Sequence, residues 1–166
     1  MHKTRADLIV ITGAFLLVLL GILWVSVAYC TETSVTILRV VDGDTVKAMV
    51  DGHAVTLRLW GVDAPERRQA SGSDATKRLA FWMTYCPCTI TEHGSGRYGR
   101  SAAQLHTATG RDIGEQLIRE GVAWWAQRYA PKVVAYALAE VEARAHQRGL
   151  WQDGNAVPPW VWRRIP

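Results

Sequence analysis

The chain has 166 residues and carries 19 Lys and Arg against 15 Asp and Glu, a formal net charge of +4 at pH 7. This length fits one domain with a short extension, so one catalytic or binding domain is expected. Fifteen of the 19 basic residues are arginines, whose planar guanidinium group suits bidentate partners such as phosphate. A net charge this small is also ordinary for a soluble domain, so charge alone does not identify a polyanionic ligand.

The chain begins with an apolar segment. Residues 8–28 contain no charged side chain over 21 positions, which is long enough for a helix that crosses a bilayer. Basic residues precede this run, so the rest of the chain is expected to be exported. Ser26–Ala28 also offers the small-residue pattern of a signal-peptidase site, and both alternatives stay open. We expect residues 1–30 to be an anchor or signal segment. The domain, residues 31–166, would then face the periplasm or exterior from the inner membrane, or be secreted.

The cysteines give little indication of a metal site. The chain has three of them, Cys30, Cys86 and Cys88, and an odd number leaves at least one unpaired or joined to another chain. Cys86 and Cys88 are separated by one residue, which is too close for a standard zinc knuckle.

The first half of the domain has the patterns of strands. Residues 34–41, 45–50 and 54–62 are strand-like, and Asp51-Gly52 between the last two is a hairpin signal. These segments predict a three-stranded meander. Two more strands are expected in CTITEH and YGRSAAQLH, residues 88–93 and 98–106.

Three helices are predicted. The first lies within residues 71–86 with Ser73 as its N-cap. The second, DIGEQLIREG, begins with a capping-box arrangement at Asp112 and ends at Gly121. The third lies within residues 133–149 and ends at Gly149. Its apolar residues at helical spacing are expected to face the core. They are Val134, Ala137, Leu138, Val141 and Ala145.

Five short strands with a helix between the third and fourth are the layout of an OB-type barrel. We therefore predict an α+β fold that is mainly β, a five-stranded OB-like barrel with three helices, preceded by an N-terminal transmembrane helix. The Trp-rich residues 157–164 are expected to pack back on the domain.

Acidic residues cluster within DGDTVKAMVDGHAVTLRLWGVDAPE, residues 42–66. Asp44 and Asp63 lie at the two ends of the meander, where a hairpin can bring them together. Their oxygen donors favour a hard cation such as Ca²⁺, and the scarcity of nearby His and Cys, with only His53 at the turn, disfavours zinc. Glu66 can face the same cavity and deprotonate a water molecule.

Arg58 lies in the middle of a predicted strand. Its neighbours Leu57 and Leu59 should point to the opposite face, and an unpaired arginine there needs an anion. A structural alternative is also open. Asp-Gly pairs are ordinary turn residues, and Arg58 can form a salt bridge with Asp44 or Glu66 on a barrel wall.

Three motifs, in this order and spacing, resemble the thermonuclease family of staphylococcal-nuclease-like nucleases. They are DGDT at residues 42–45, R-x-x-G-V-D-A-P-E at 58–66 and YGR at 98–100. The likeness extends over about residues 35–164. It implies a five-stranded OB-like barrel with three helices that hydrolyses DNA and RNA with Ca²⁺.

The resemblance also implies a metal site and a pairing of cysteines. Asp44 and Asp63 match the carboxylate ligands of Ca²⁺, and Ala64 matches a position that supplies a backbone carbonyl. Exported members often pair a cysteine before YGR with one after it. Leu105 occupies the second position here, so Cys88 is expected to lack that partner.

The resemblance assigns catalytic and substrate-binding roles to a further set of residues. Arg58 and Arg100 match two arginines that contact the scissile phosphate, and Glu66 matches the general base. Tyr98 and Arg97 match positions near the bound nucleotide.

The implied function is a Ca²⁺-dependent endonuclease, a metal-dependent phosphodiester hydrolase acting on DNA and RNA. It is expected to be an exported monomer, held at the membrane by residues 8–28 and without a protein partner. One alternative is a non-catalytic OB-fold module that binds nucleic acid while tethered to the membrane. Another is a tethered scaffold that binds a protein through the Trp-rich residues 158–164.

Overall fold

The computed structural model of the protein describes residues 33–95, 100–152 and 154–165. The predicted N-terminal segment therefore lies outside the described residues, as do Arg97 and Tyr98. Within the described ranges, no helix has both the length and the apolar character needed to cross a membrane.

The elements follow the chain in an order close to the predicted one. The strands are β1 (Thr33–Asp42), β2 (Thr45–Val50), β3 (His53–Leu59), β4 (Val62–Asp63), β5 (Cys88–Ser95), β6 (Arg100–His106) and β7 (Trp124–Trp125). The helices are α1 (Gly72–Met83), α2 (Ile113–Arg119), α3 (Val134–Ala145) and α4 (Pro159–Trp162), with a 3₁₀ turn at Gly149–Gln152.

Five of these strands close a barrel in the order β1-β2-β3-β6-β5. β1, β2 and β3 form an antiparallel meander, and β3 pairs with β6 in parallel. Asp51 and Gly52 connect β2 to β3 with positive φ angles of 47° and 78°, as a two-residue hairpin turn requires. The predicted five-stranded OB-like barrel and its opening meander are confirmed.

The barrel interior is apolar and sets the direction of the β3 side chains. Leu57 and Leu59 are buried in the core together with Val46 and Leu105. Because side chains alternate along a strand, Arg58 projects from the opposite face of β3. The predicted alternation is therefore confirmed.

The predicted third strand is interrupted before its end. β3 stops at Leu59, and Gly61 turns the chain with a φ of 72°. A side chain at Gly61 would also collide with Ala130, since a Cβ there would lie 2.5 Å from the Ala130 Cβ. β4 then leaves the barrel and pairs with β7, and this turn positions Asp63.

Two helix starts show different outcomes. The N-cap of α1 is Ser71, with a φ of 65° and no side-chain cap, so the prediction of Ser73 was wrong. Asp112 caps α2 as predicted, because its Oδ1 accepts from the amides of Gly114 at 2.8 Å and Glu115 at 3.3 Å. The Glu115 side chain pairs with Arg119.

The core face predicted for α3 was wrong. Tyr136, Ala139 and Ala143 are buried, whereas Val134, Leu138 and Val141 are exposed. The buried face is the one whose Tyr136 hydroxyl donates to Asp112 at 2.8 Å. Gly149 does not end this helix but opens the 3₁₀ turn.

The Trp-rich tail packs on the domain, as predicted. Pro159 is buried in α4, a short fourth helix beyond the three predicted. The Trp160 ring lies 6.3 Å from the Trp124 ring in an edge-on arrangement.

Candidate active site

Arg58 bridges two buried carboxylates. Its Nη1 donates to Asp44 Oδ1 at 2.5 Å, and its Nη2 donates to Asp63 Oδ1 at 2.8 Å. The side chains of Asp44 and Asp63 are 4% and 8% exposed, against 30% for Arg58. The structure thus brings these three residues together. The salt bridge of Arg58 with Asp44, which the sequence also allowed, is present. The second partner of Arg58 is Asp63 and not Glu66.

Asp44 is fixed by its local contacts in the turn between β1 and β2. Its Oδ2 accepts from the Ala64 amide at 2.9 Å, and its Oδ1 accepts from the Thr45 hydroxyl at 2.9 Å. A Cβ on Gly43 would lie 2.7 Å from the Cβ atoms of both Ala64 and Ala75. Only glycine therefore lets this turn approach the loop after β4 so closely.

Burial dominates the electrostatics of Asp44. Removal from water raises the pKa of the Asp44 carboxyl to about 7, while Arg58 opposes that rise and Asp42 adds to it. Burial works against the charge of Arg58, yet Asp44 and Asp63 raise the pKa of its guanidinium. Arg58 is therefore a permanent cation. A further cation beside Asp44 would favour the ionised carboxylate.

A second arginine, Arg163, reaches the same acids from the C-terminal tail. Its Nη2 donates to Asp63 Oδ1 at 2.5 Å, and its Nε donates to Glu66 Oε1 at 2.6 Å. Glu66 is thus joined to Asp63 through Arg163. Sequence reasoning missed this residue. The available signal was the Arg163-Arg164 pair that ends the Trp-rich tail.

The loop that carries Glu66 is held by Gln69. The Glu66 amide donates to Gln69 Oε1 at 3.1 Å, and the Gln69 amide donates to the Glu66 carbonyl at 2.8 Å. The Gln69 side chain also donates to the carbonyl of Val157. A Cβ on Gly72 would lie 2.0 Å from the Glu66 carbonyl oxygen, so any larger residue would displace this loop.

Arg100 lies on the same wall of the barrel as Arg58. It begins β6 opposite Thr56, and Ala102 two residues later lies opposite Arg58 in the parallel register. Residues i and i+2 of a strand share a face, so Arg100 and Arg58 project from the same face of the sheet. The predicted substrate contacts Arg97 and Tyr98 lie outside the described residues.

The oxygen donors at this site suit a hard cation. Asp44 and Asp63 supply carboxylates, and hard divalent cations complete their coordination with main-chain oxygens and water. Among the residues that the structure describes, no group of three or more His, Cys, Asp or Glu side chains is placed to hold a metal ion. A cation here would thus depend on two protein carboxylates. Ala64 directs its amide to Asp44, whereas the predicted contribution is its carbonyl.

Cys88 does have a partner. Cys86 and Cys88 form a disulfide with their Cα atoms 4.5 Å apart. Leu105 still leaves Cys88 without the family's partner beyond the YGR motif, as expected, and Cys86 pairs with it instead. The bond links the segment that follows α1 to the first residue of β5.

Comparison with known proteins shows the family of this chain. The family described as Staphylococcal nuclease homologue matches residues 56–153. An "uncharacterized endonuclease" of Escherichia coli O157:H7 is 36% identical over 134 residues, which cover 81% of this chain and 87% of that protein. A "micrococcal nuclease" of Shigella flexneri is 37% identical over 153 residues, covering 86% and 87% of the two chains. "Protein ParB" of Escherichia coli is 33% identical over 155 residues and covers 87% of both. The chain therefore belongs to the staphylococcal nuclease homologue family.

Proposed function

We propose that this protein is a Ca²⁺-dependent endonuclease that hydrolyses phosphodiester bonds of DNA and RNA. The observation that carries the proposal is the contact of Arg58 with both Asp44 and Asp63, with Glu66 joined to Asp63 through Arg163. The relatives named endonuclease and micrococcal nuclease support the same activity.

The exposed side of the site suits attack by water on phosphorus. Such an attack builds negative charge on the phosphoryl oxygens, and prearranged guanidinium groups stabilise that charge. Arg58 and Arg100 project from the sheet face that would meet the phosphate. The Glu66 side chain is 41% exposed, so it can reach a solvent molecule, orient it and accept its proton. Arg97 and Tyr98 would contact the neighbouring nucleotide.

The residues at the site fit a calcium ion. Asp44 and Asp63 would hold it, with the main-chain carbonyl of Ala64 as a further donor. When bound, the ion would supply positive charge that polarises the phosphoryl oxygen. Both carboxylates are largely buried, and an added cation beside them would favour their ionised forms.

We also propose that the protein is exported and acts as a monomer. Residues 8–28 would either anchor the domain in the inner membrane, facing the periplasm or exterior, or direct its secretion. The Cys86–Cys88 disulfide supports an oxidising compartment. Cell fractionation with an alkaline wash distinguishes the two alternatives, because a retained anchor stays in the membrane pellet and a cleaved chain does not.

A plasmid assay tests the activity directly. The full-length chain, purified with detergent, should nick and then linearise supercoiled plasmid with Ca²⁺ and should stop when a chelator is added. Glu66→Gln should slow cleavage about 10²-fold or more, the range for loss of a general base. If wild-type protein with Ca²⁺ shifts DNA in a gel without cutting it, the proposal is refuted in favour of a non-catalytic binding module.

A further inference from the structure

The tail brings a guanidinium group to the acids from the far end of the chain. Arg163 lies 100 positions after Asp63, yet it contacts both Asp63 and Glu66. The tail that carries it is fixed by buried Pro159 and by the edge-on contact of Trp160 with Trp124. An isolated surface salt bridge contributes little to stability. Here, however, a packed segment holds one guanidinium against two carboxylates.

The two arginines share one oxygen but are not held equally. Asp63 Oδ1 accepts from Arg58 Nη2 at 2.8 Å and from Arg163 Nη2 at 2.5 Å. Arg58 also pairs with the buried Asp44 and is 30% exposed, whereas Arg163 is 43% exposed. Arg163 is therefore the partner that can withdraw with less disturbance of the barrel wall.

We propose that Arg163 is a positioning residue that orients Glu66 and lowers the affinity of the site for its cation by competing for Asp63. This inference rests on the proposed function. Asp63 Oδ1 already accepts two guanidinium N–H groups, and the positive charge of Arg163 would disfavour a cation held by the same carboxylate. Without Arg163, Asp44 and Asp63 would share the single guanidinium of Arg58, and the Glu66 carboxylate would lose its ion pair.

This role has a signature that a purely structural role lacks. Arg163→Gln should bind Ca²⁺ more tightly, by about tenfold for the loss of one adjacent like charge. The same variant should have a lower kcat at saturating Ca²⁺, because Glu66 loses the group that orients it. A tail that merely supported the fold would weaken both properties when damaged.

Calorimetric titration of the full-length chain with CaCl₂ tests the proposal. Arg164→Gln is the matched control, because it removes the same charge from the next position. Arg164 is exposed and makes no side-chain hydrogen bond or ion pair within the described part of the chain. We expect the Kd of Arg163→Gln to fall about tenfold and the Kd of Arg164→Gln to stay within about twofold of wild type.

The other possible results distinguish failure of this inference from failure of the proposed function. An unchanged or weaker Kd in Arg163→Gln, with Ca²⁺ binding intact in wild type, overturns the inference and leaves the proposed function standing. An unchanged kcat in Arg163→Gln refutes the claim that Arg163 orients Glu66. If neither protein binds Ca²⁺, both the metal site and the inference fail. If Arg163→Gln does not fold, Arg163→Lys replaces it. A lysine keeps the charge but cannot contact two acids through a fork, so a smaller gain in affinity is expected and no gain refutes the inference.

Discussion

Replacing Arg58 with glutamine should destabilise the protein as well as inactivate it. The guanidinium is the shared partner of two carboxylates whose side chains are 4% and 8% exposed. Removing one partner of a buried ion pair costs about 3–5 kcal/mol, since the remaining charge is left without compensation. Asp63 retains Arg163 in the variant, so the loss should stay within this range and not double.

The size of the effect can be converted into a melting temperature. For a domain of this size, 1 kcal/mol corresponds to about 3–5 °C. Arg58→Gln should thus lower the Tm of the metal-free protein by roughly 10–20 °C at pH 8. The loss should be smaller at pH 5, because Asp44 is then protonated and no longer needs a counter-charge.

A double-mutant cycle isolates the ion pair from other effects of the substitution. Asp44→Asn keeps an oxygen that can accept from the Ala64 amide and removes only the charge. Urea denaturation of both single variants and the double variant should give a coupling energy of about 2 kcal/mol or more. A destabilisation below about 1 kcal/mol for Arg58→Gln, with no coupling to Asp44, would refute the view that these groups form a buried pair.

Three further predictions concern stability. Asp112→Ala should cost about 2–4 kcal/mol in urea denaturation, because it removes the cap of α2 and leaves the buried Tyr136 hydroxyl without its acceptor; a loss no larger than that of Tyr136→Phe would contradict this. Burial raises the pKa of Asp44 from 3.8 to about 7 in the folded protein, so the folded state holds an extra proton between these values. The contribution of this group to the stability of the metal-free protein should therefore fall as pH rises from about 4 to 7. The Tm of Asp44→Asn, measured against pH, should lack this fall between about pH 4 and 7. Identical pH profiles for the variant and the wild type would argue against a raised pKa of Asp44. The Cys86–Cys88 bond closes a very short loop, so Cys86→Ser with Cys88→Ser should cost about 2 kcal/mol or less, and a loss of cooperative thermal unfolding would show a larger role.

Features decided by near neighbours could be predicted from the sequence. The turn at Asp51 and Gly52 and the cap at Asp112 depend on residues within a few positions. The side chains on either side of Arg58 are apolar, and a strand has only two faces. The sequence therefore predicts that Leu57 and Leu59 are buried and that Arg58 lies on the opposite face. The meander places Asp44 beside the end of β3, whereas the turn at Gly61 and the pairing of β4 with β7 bring Asp63 to it.

Features decided by distant packing could not be predicted. Both faces of α3 carry apolar residues, so periodicity does not choose between them. The buried face is the one that carries Tyr136, whose hydroxyl donates to Asp112, 24 positions earlier. Arg163 reaches Asp63 across 100 positions, and no local pattern reports such a contact. Ser71 has a left-handed conformation that favours glycine and is rarely expected of serine.

The most direct test of hydrolysis at this site is the fate of the attacking water. A short DNA duplex is incubated with excess protein and Ca²⁺ in H₂¹⁸O under single-turnover conditions. The masses of the cleavage products are then measured by mass spectrometry. Wild type should place one ¹⁸O atom in each new terminal phosphate, and Glu66→Gln should form that product far more slowly. Intact duplex, or equal rates for the two proteins, would contradict the assignment of Glu66, Arg58 and the paired aspartates to phosphodiester hydrolysis.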